Sequence, residues 1–140
     1  MATHGNFRDG YFGVAGIDLS DHVREFSLET SVAELPHNVH GDYVAKVIGG
    51  LEDWTITVTF LQDFAASKVD ATLAALNVAS QTGFGIEVGA DKTTAIGTTN
   101  PRYSGLAILT SYRPIGGAHG TNLEATATFR PAGRLTRRTA

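Results

Sequence analysis

The stretch WTITVTFLQD, residues 54–63, carries the strongest structural pattern in the chain. Apolar residues alternate with threonines, which is the period of a β-strand with two unlike faces. The predicted strand covers about residues 52–62. Its apolar face, expected in the core, consists of Trp54, Ile56, Val58 and Phe60. Its other face, polar but uncharged, consists of Thr55, Thr57 and Thr59, and the question is what that face contacts.

The composition is that of one folded domain spanning residues 1–140. Apolar residues make up 42% of the chain and charged residues 18%. There is no cysteine, which excludes disulfides and thiolate metal sites. No apolar run reaches the length of about 18 residues needed to cross a membrane, so we expect no membrane partner. The net charge of −3 argues against tight binding of DNA by the folded body.

Most other segments also show the period of strands. Further strands are predicted at 11–19, 23–31, 84–88, 103–112 and 123–130. One segment, SKVDATLAALNVAS from Ser67, has helical spacing, and we predict a helix over about residues 67–79. Ser67 and Asp70 resemble a capping box at its start. The helix stripe and the last strand complete the predicted core with Val69, Leu73, Leu76 and Phe129.

Two segments, residues 32–50 and 89–102, have no sustained period. Long loops without secondary structure are unusual in compact domains and are often functional. We therefore interpret residues 32–50 as an assembly or binding loop, the alternatives being a floppy excursion or a hairpin with a weak pattern. The residues expected to make its contacts are Leu35, Pro36, His37, His40, Tyr43 and Val47.

Catalytic and metal-binding patterns are missing. His37 and His40 lie near Glu34, but Pro36 and Gly41 argue against the helix that would aim both rings at one metal. There is no H-E-x-x-H or G-x-S-x-G motif, and GGAHG at 116–120 lacks the lysine of a P-loop. We predict no catalytic residue, no metal site and no cofactor.

The polar faces of three predicted strands are more informative. Short polar groups and carboxylates line them, and lysine, the usual guard of a sheet edge, occurs only three times in the chain. Such a sheet could protect its edges by pairing with copies of itself in a ring, which would leave one mildly acidic face lining a pore. The residues predicted to face this lumen are Glu25, Ser27, Glu29, Glu124, Thr126 and Thr128. Arg130 fits this scheme poorly.

The order of several motifs carries a resemblance. They are GIDLSDHVREFSLETS, then GGLEDWTITVTFLQD leading into VDATLAAL, then NPRYSGLAILTSYRPIGG and LEATATFRPAGRLTR. Over about residues 10–138 the chain resembles the major tail (tail tube) proteins of long-tailed bacteriophages. The resemblance implies a mostly-β fold, a β-sandwich of about six to eight strands with one flanking helix, whose inner sheet closes into a ring barrel with neighbouring subunits.

The resemblance also implies a structural, non-enzymatic function. Hexameric rings would stack into a hollow tail tube through which DNA passes without tight binding. The expected partners are further copies of the chain, the tape-measure protein and the tail-terminator protein. The expected location is the phage tail of the virion, after synthesis in the bacterial host cytoplasm. Residues 1–8 and 133–140 are expected to be flexible.

Two other functions remain open from the sequence. One is another virion β-protein, such as a head–tail joining, tail-terminator or capsid decoration protein. The other is a β-sandwich that binds carbohydrate or another ligand. That function would need an exposed aromatic platform, whereas Trp54, the single tryptophan, is predicted to be in the core.

Overall fold

The computed structural model describes residues 10–79 and 83–139. It contains eight strands, one α-helix and a short 3-10 helix, Ser20–His22. The strands are β1 Tyr11–Val14, β2 Ile17–Asp18, β3 Val23–Pro36, β4 Val47–Leu61, β5 Phe84–Gly89, β6 Arg102–Gly116, β7 Glu124–Pro131 and β8 Thr136–Arg138, and the helix is α1 Val69–Ala79. The prediction of a mostly-β fold with one helix is confirmed.

All eight strands belong to one antiparallel sheet. Its order is β2-β1-β5-β6-β7-β4-β3, and β8 also pairs with β6. The sheet curls so that its two ends face each other across the core. The Phe12 ring, on β1, lies 5.7 Å from Phe26 on β3 and 5.5 Å from Phe60 on β4. The two layers of the predicted sandwich are therefore two halves of one curled sheet, and within the described chain it does not close into a barrel.

The core contains the apolar face of β4. Ile56, Val58 and Phe60 are at most 1% exposed and Trp54 is 4% exposed. Phe129 on β7 is also buried, in contact with Phe12 and Phe84. These side chains fill the space between the sheet halves, as the alternation in WTITVTFLQD leads one to expect.

Helix α1 covers one part of this core. Val69 and Leu73 are fully buried and Leu76 is partly buried against the core. The helix begins at Val69, not at Ser67 as predicted. Ser67 has a φ of 60°, in the left-handed region, so it cannot act as the first residue of a right-handed helix or as an extended N-cap.

Residues 32–50 are a loop only at 37–46. They form the outer part of a long β3–β4 hairpin in which Val32 pairs with Glu52 and Pro36 pairs with Val47. The strands carry no alternating pattern here because both faces of the extension lie in solvent, so neither face selects apolar residues for burial. The segment thus has the form of a hairpin with a weak pattern, and its role in assembly or binding stays a prediction.

The predicted strand 11–19 is divided into β1 and β2. Val14 pairs with Ile17 across a two-residue turn, in which Ala15 and Gly16 have φ values of 52° and 82°. Positive φ at both positions is typical of the tight turns that join antiparallel strands.

The chain end differs from the expectation of flexibility over residues 133–140. Thr136–Arg138 forms β8, which pairs with β6 from Arg102 to Ser104. Arg138 Nη1 also forms an ion pair with Glu87 Oε2 at 3.2 Å. The strand pairing of β8 and this ion pair thus attach the segment to the sheet. The other predicted flexible segment, residues 1–8, lies outside the described residues.

Candidate functional site: a polar sheet face and an exposed arm

The polar residues of three adjacent strands share one face of the sheet. Thr57 on β4 pairs with Ser27 on β3 and with Thr128 on β7. One step further along the strands, Thr59 occupies the equivalent place between its neighbours on β3 and β7. Since side chains alternate between the two sides of a sheet, the residues opposite the core form a continuous surface. We call it the polar face: Glu25, Ser27, Glu29, Asp53, Thr55, Thr57, Thr59, Glu124, Thr126, Thr128 and Arg130.

The six residues predicted to face a lumen all belong to the polar face, together with the threonines of β4. The polar faces of three strands, predicted one by one from the sequence, thus lie side by side on one surface of the sheet. The side-chain pattern continues onto β6, where Ile108 pairs with Arg130 and Ser111 pairs with Thr128. This extension was not predictable from the sequence, because a register shift between Leu109 and Ser111 interrupts the alternation of β6.

Ion pairs compensate two arginines at the polar face. Arg130 Nη2 lies 2.9 Å from Asp53 Oδ2, and Arg130 Nη1 donates to Thr55 Oγ1. Arg24 forms an ion pair with Glu124 across β4. Arg130 therefore lies on the polar face with its charge balanced by Asp53. Its positive charge is thus compatible with a mildly acidic surface. Among the described residues no salt bridge involves Glu25 or Glu29, so the surface keeps acidic groups.

Two open strand edges border this surface. Within the part of the chain that the structure describes, β3 is the last strand of the sheet and has a neighbour on one side. At the other border, β6 pairs with β5 only up to Ala107, so in the described chain residues 108–116 pair with β7 alone. Backbone groups along an open edge can pair with a strand of another chain.

The β3–β4 extension is an exposed apolar arm, defined here as residues 32–51. Tyr43 is 102% exposed and Leu51 is 87% exposed. Large exposed apolar patches on a soluble chain mark interaction surfaces. The apolar side chains that the arm exposes are Val32, Leu35, Val39, Tyr43, Val44, Val47, Ile48 and Leu51.

Polar contacts hold the tip of the arm in a defined shape. The His37 amide donates to the Lys46 carbonyl at 2.9 Å, and the Lys46 amide donates to Asn38 Oδ1 at 2.7 Å. Asp42 accepts from the Val39 amide at 2.9 Å and from Lys46 Nζ at 2.9 Å. These two bonds, the first more strongly, lower the pKa of the Asp42 carboxyl. The tip is thus structured before any partner binds.

The predicted contact residues of this segment are distributed along the arm. Leu35, Pro36 and Val47 lie in its strands, and His37, His40 and Tyr43 lie in its tip. In residues 10–79 and 83–139 there is no group of three His, Asp or Glu side chains placed to hold a metal. A membrane-spanning helix is likewise not found in those ranges.

Solved structures share this architecture although no protein-family model and no curated protein matches the sequence. A chain in the virion of a native gene transfer agent particle superposes with a TM-score of 0.77 and 13% identity, over 96% of this chain and 98% of that one. A chain from the tail of an empty gene transfer agent particle, with C6 symmetry, gives 0.66 and 14% identity, over 85% and 83%. The chain has a tail tube fold.

The tail tube fold extends to contractile injection systems. A chain from the sheath/tube terminator of the PVC extracellular system, in its extended state, gives a TM-score of 0.73 and 10% identity, over 98% of both chains. The resemblance seen in the sequence is confirmed at the level of the fold. These neighbours are chains of assembled particles, and what this chain shares with them is the fold.

Proposed function

We propose that this chain is a tail tube subunit. Copies join side by side into rings, the rings stack into a hollow tube, and DNA passes through the tube. The observation that supports this most is the polar face bordered by two open strand edges. The C6 symmetry of the gene transfer agent tail supports six copies in each ring.

Ring closure follows from the two edges. The β3 edge of one copy pairs with residues 108–116 of β6 in the next, so that the four-stranded part β6-β7-β4-β3 continues around the ring. Closure removes the open edges that a free subunit presents. The polar face then turns inward as the lumen lining, while the core and α1 lie outside it.

The charge of the polar face suits a DNA conduit. Cationic side chains bind phosphates and release counterions, which would retain the genome inside the tube. On this face Arg130 and Arg24 are paired with Asp53 and Glu124. Glu25 and Glu29 add two negative charges, which exceed the one positive charge of Arg113 beside Thr126. Short hydroxyl side chains between these groups give a hydrated surface with little charge to hold DNA.

The apolar arm provides a second contact between copies. Burying a large apolar side chain contributes about 1.5–3 kcal/mol, and the arm exposes eight of them on one structured hairpin. We assign it to a neighbouring subunit or to the next ring. At the tube ends the same surfaces would meet the tape-measure and tail-terminator proteins. The proposed location is therefore the phage tail, after synthesis in the host cytoplasm.

Negative-stain electron microscopy of the concentrated protein tests this proposal. We expect long hollow tubes. Isolated rings would favour the second candidate, a tail-terminator protein, which the match to a sheath/tube terminator chain supports. A protein that stays monomeric at high concentration would contradict both.

A further inference from the structure

The base of the arm is attached to the body by three consecutive side chains. Glu52 accepts from Arg134 Nε and Nη2, both at 3.1 Å. Asp53 Oδ2 lies 2.9 Å from Arg130 Nη2. Trp54 Nε1 donates to the Gly133 carbonyl at 3.1 Å. Residues 52–54 of β4 are thus all bound to the segment 130–134.

These contacts begin where backbone pairing ends. The β4–β7 ladder stops at the pair Ile56–Phe129, and towards the arm β4 keeps a backbone partner only in β3 among the described residues. A register shift between Val32 and Glu34 also interrupts the hairpin beside Glu52. The direction of the arm is therefore set by side chains at a point where the sheet itself gives little constraint.

The two ion pairs act from opposite sides of the strand. Glu52 and Asp53 are neighbours in β4, so their side chains leave opposite faces. Arg134 holds one face and Arg130 the other, with the buried Trp54 ring beside them. A tilt of the arm towards either face would stretch one of the two pairs, whereas a single pair would resist a tilt in one direction only.

The exposure of the outer pair limits its contribution to stability. The side chain of Arg134 is 81% exposed and that of Glu52 is 54% exposed. Ion pairs this open to solvent add little to the free energy of unfolding. The two-bond geometry of Arg134 on Glu52, however, fixes direction as well as distance.

We propose that Glu52, Asp53 and Trp54, with Arg130, Gly133 and Arg134, form a clamp that sets the angle between arm and body. Glu52 and Arg134 are positioning residues: they hold the arm in the orientation in which its apolar side chains reach a neighbouring copy. The effect on assembly rests on the proposed tube function, while the orientation itself is a property of the single chain.

Spin-label distances measure that orientation directly. Because the chain has no cysteine, Val44→Cys at the arm tip and Ala71→Cys on the exposed face of α1 give one defined label pair. In dilute monomer we expect a narrow distance distribution. Glu52→Arg and Arg134→Glu should each broaden it, and the double swap Glu52→Arg/Arg134→Glu should narrow it again.

A matched control separates the clamp from loss of any surface ion pair. Asp21→Lys removes the pair between Asp21 and Lys92, 2.7 Å apart on the body, and should leave the distribution unchanged. The clamp is overturned if both single variants keep the narrow distribution, or if the swap stays as broad as they are. These results do not depend on whether tubes form.

Assembly gives the second measurement. If loss of the outer pair leaves about one third of the molecules with a competent arm, the concentration needed for tube formation rises about threefold. The swap should restore it, and Asp21→Lys should match the unmutated chain. Single variants that polymerise at the unmutated concentration contradict the role in assembly, whereas failure of the unmutated chain to polymerise contradicts the tube function instead.

Discussion

Trp54 joins the core to the C-terminal segment. Its ring is 4% exposed among core residues, and its indole N–H donates to the Gly133 carbonyl. The alternation in WTITVTFLQD was enough to predict burial of the ring. The partner of the N–H was not predictable, because Gly133 is 79 residues away and nothing in the local pattern marks it.

Truncation of the Trp54 side chain should strongly destabilise the fold. Trp54→Ala removes a buried aromatic ring and leaves a cavity, so the free energy of unfolding should fall by about 3–5 kcal/mol. Trp54→Phe keeps most of the apolar volume and loses the hydrogen bond, and is expected to cost clearly less. Denaturant unfolding of dilute protein measures both. A Trp54→Ala variant as stable as the unmutated chain would show that the ring is not part of the core.

Tyr112 should make the free energy of unfolding decrease at alkaline pH. Its hydroxyl donates to Asp70 Oδ1 at 2.8 Å and accepts from Gln62 Nε2 at 3.2 Å. Burial, supported by the contact with Asp70, raises the pKa of Tyr112 to about 12. The folded chain therefore favours the neutral phenol, and this contribution to stability is complete below about pH 10, the ordinary pKa of tyrosine, and is lost as the pH rises towards 12.

Tyr112→Phe isolates this effect. The variant cannot ionise at this position, so its stability should fall less steeply between about pH 10 and 12. Urea unfolding at a series of pH values provides the comparison. Equal slopes for the two proteins would mean that Tyr112 has no raised pKa in the folded state.

At the scale of elements, strands with one buried face were predictable and strands in solvent were not. The inner parts of β3, β4 and β7 have one face in the core, and the resulting alternation of apolar and polar residues predicted them as strands. The arm has no buried face, so its strands show no alternation and were predicted as a loop. Residues 90–101 also lack a period, because they form a loop between β5 and β6. Asn100, 6% exposed, holds this loop through side-chain bonds to the carbonyls of Asp91, Thr94 and Ala95.

Removing only the tip of the arm should separate folding from assembly. Replacing residues 37–46 with Asn-Gly joins Pro36 to Val47 through a tight turn suited to antiparallel strands. The tip residues make no part of the core, so thermal unfolding should be close to that of the unmutated chain. Polymerisation should be lost, because the exposed side chains of Val39, Tyr43 and Val44 are gone.

Sedimentation of the concentrated variant checks this expectation. The matched control is Tyr43→Phe, which keeps the ring that the tip exposes and should still assemble. If the shortened chain still formed tubes, the tip would not be one of the contacts that assembly needs.

At the scale of the whole molecule, the sequence predicted which residues are polar on each strand but not that they share one surface. That depends on strand order: β7, late in the chain, lies beside β4 in the sheet. Pairing over such separations leaves no local trace in the sequence. The clamp was missed for the same reason, since its arginines are 77 to 82 residues from the carboxylates they bind.

The acidity of the polar face should matter for DNA, not for folding. Glu25→Lys with Glu29→Lys places two cations on this surface, and tubes of this variant should retain duplex DNA at low salt and release it at high salt. Glu25→Gln with Glu29→Gln removes the same charges without adding cations and should retain far less. Fluorescence of labelled DNA that sediments with the tubes gives the measurement. Equal retention by all three proteins would show that the polar face does not meet DNA.

The central claim is that copies of this chain close a tube around the polar face. A cryo-electron microscopy reconstruction of the concentrated protein tests it most directly. We predict stacked rings in which the β3 edge of each copy pairs with residues 108–116 of the next and Thr57 points into the lumen. A tube with Thr57 on its outer surface, or density for isolated monomers only, would contradict the claim.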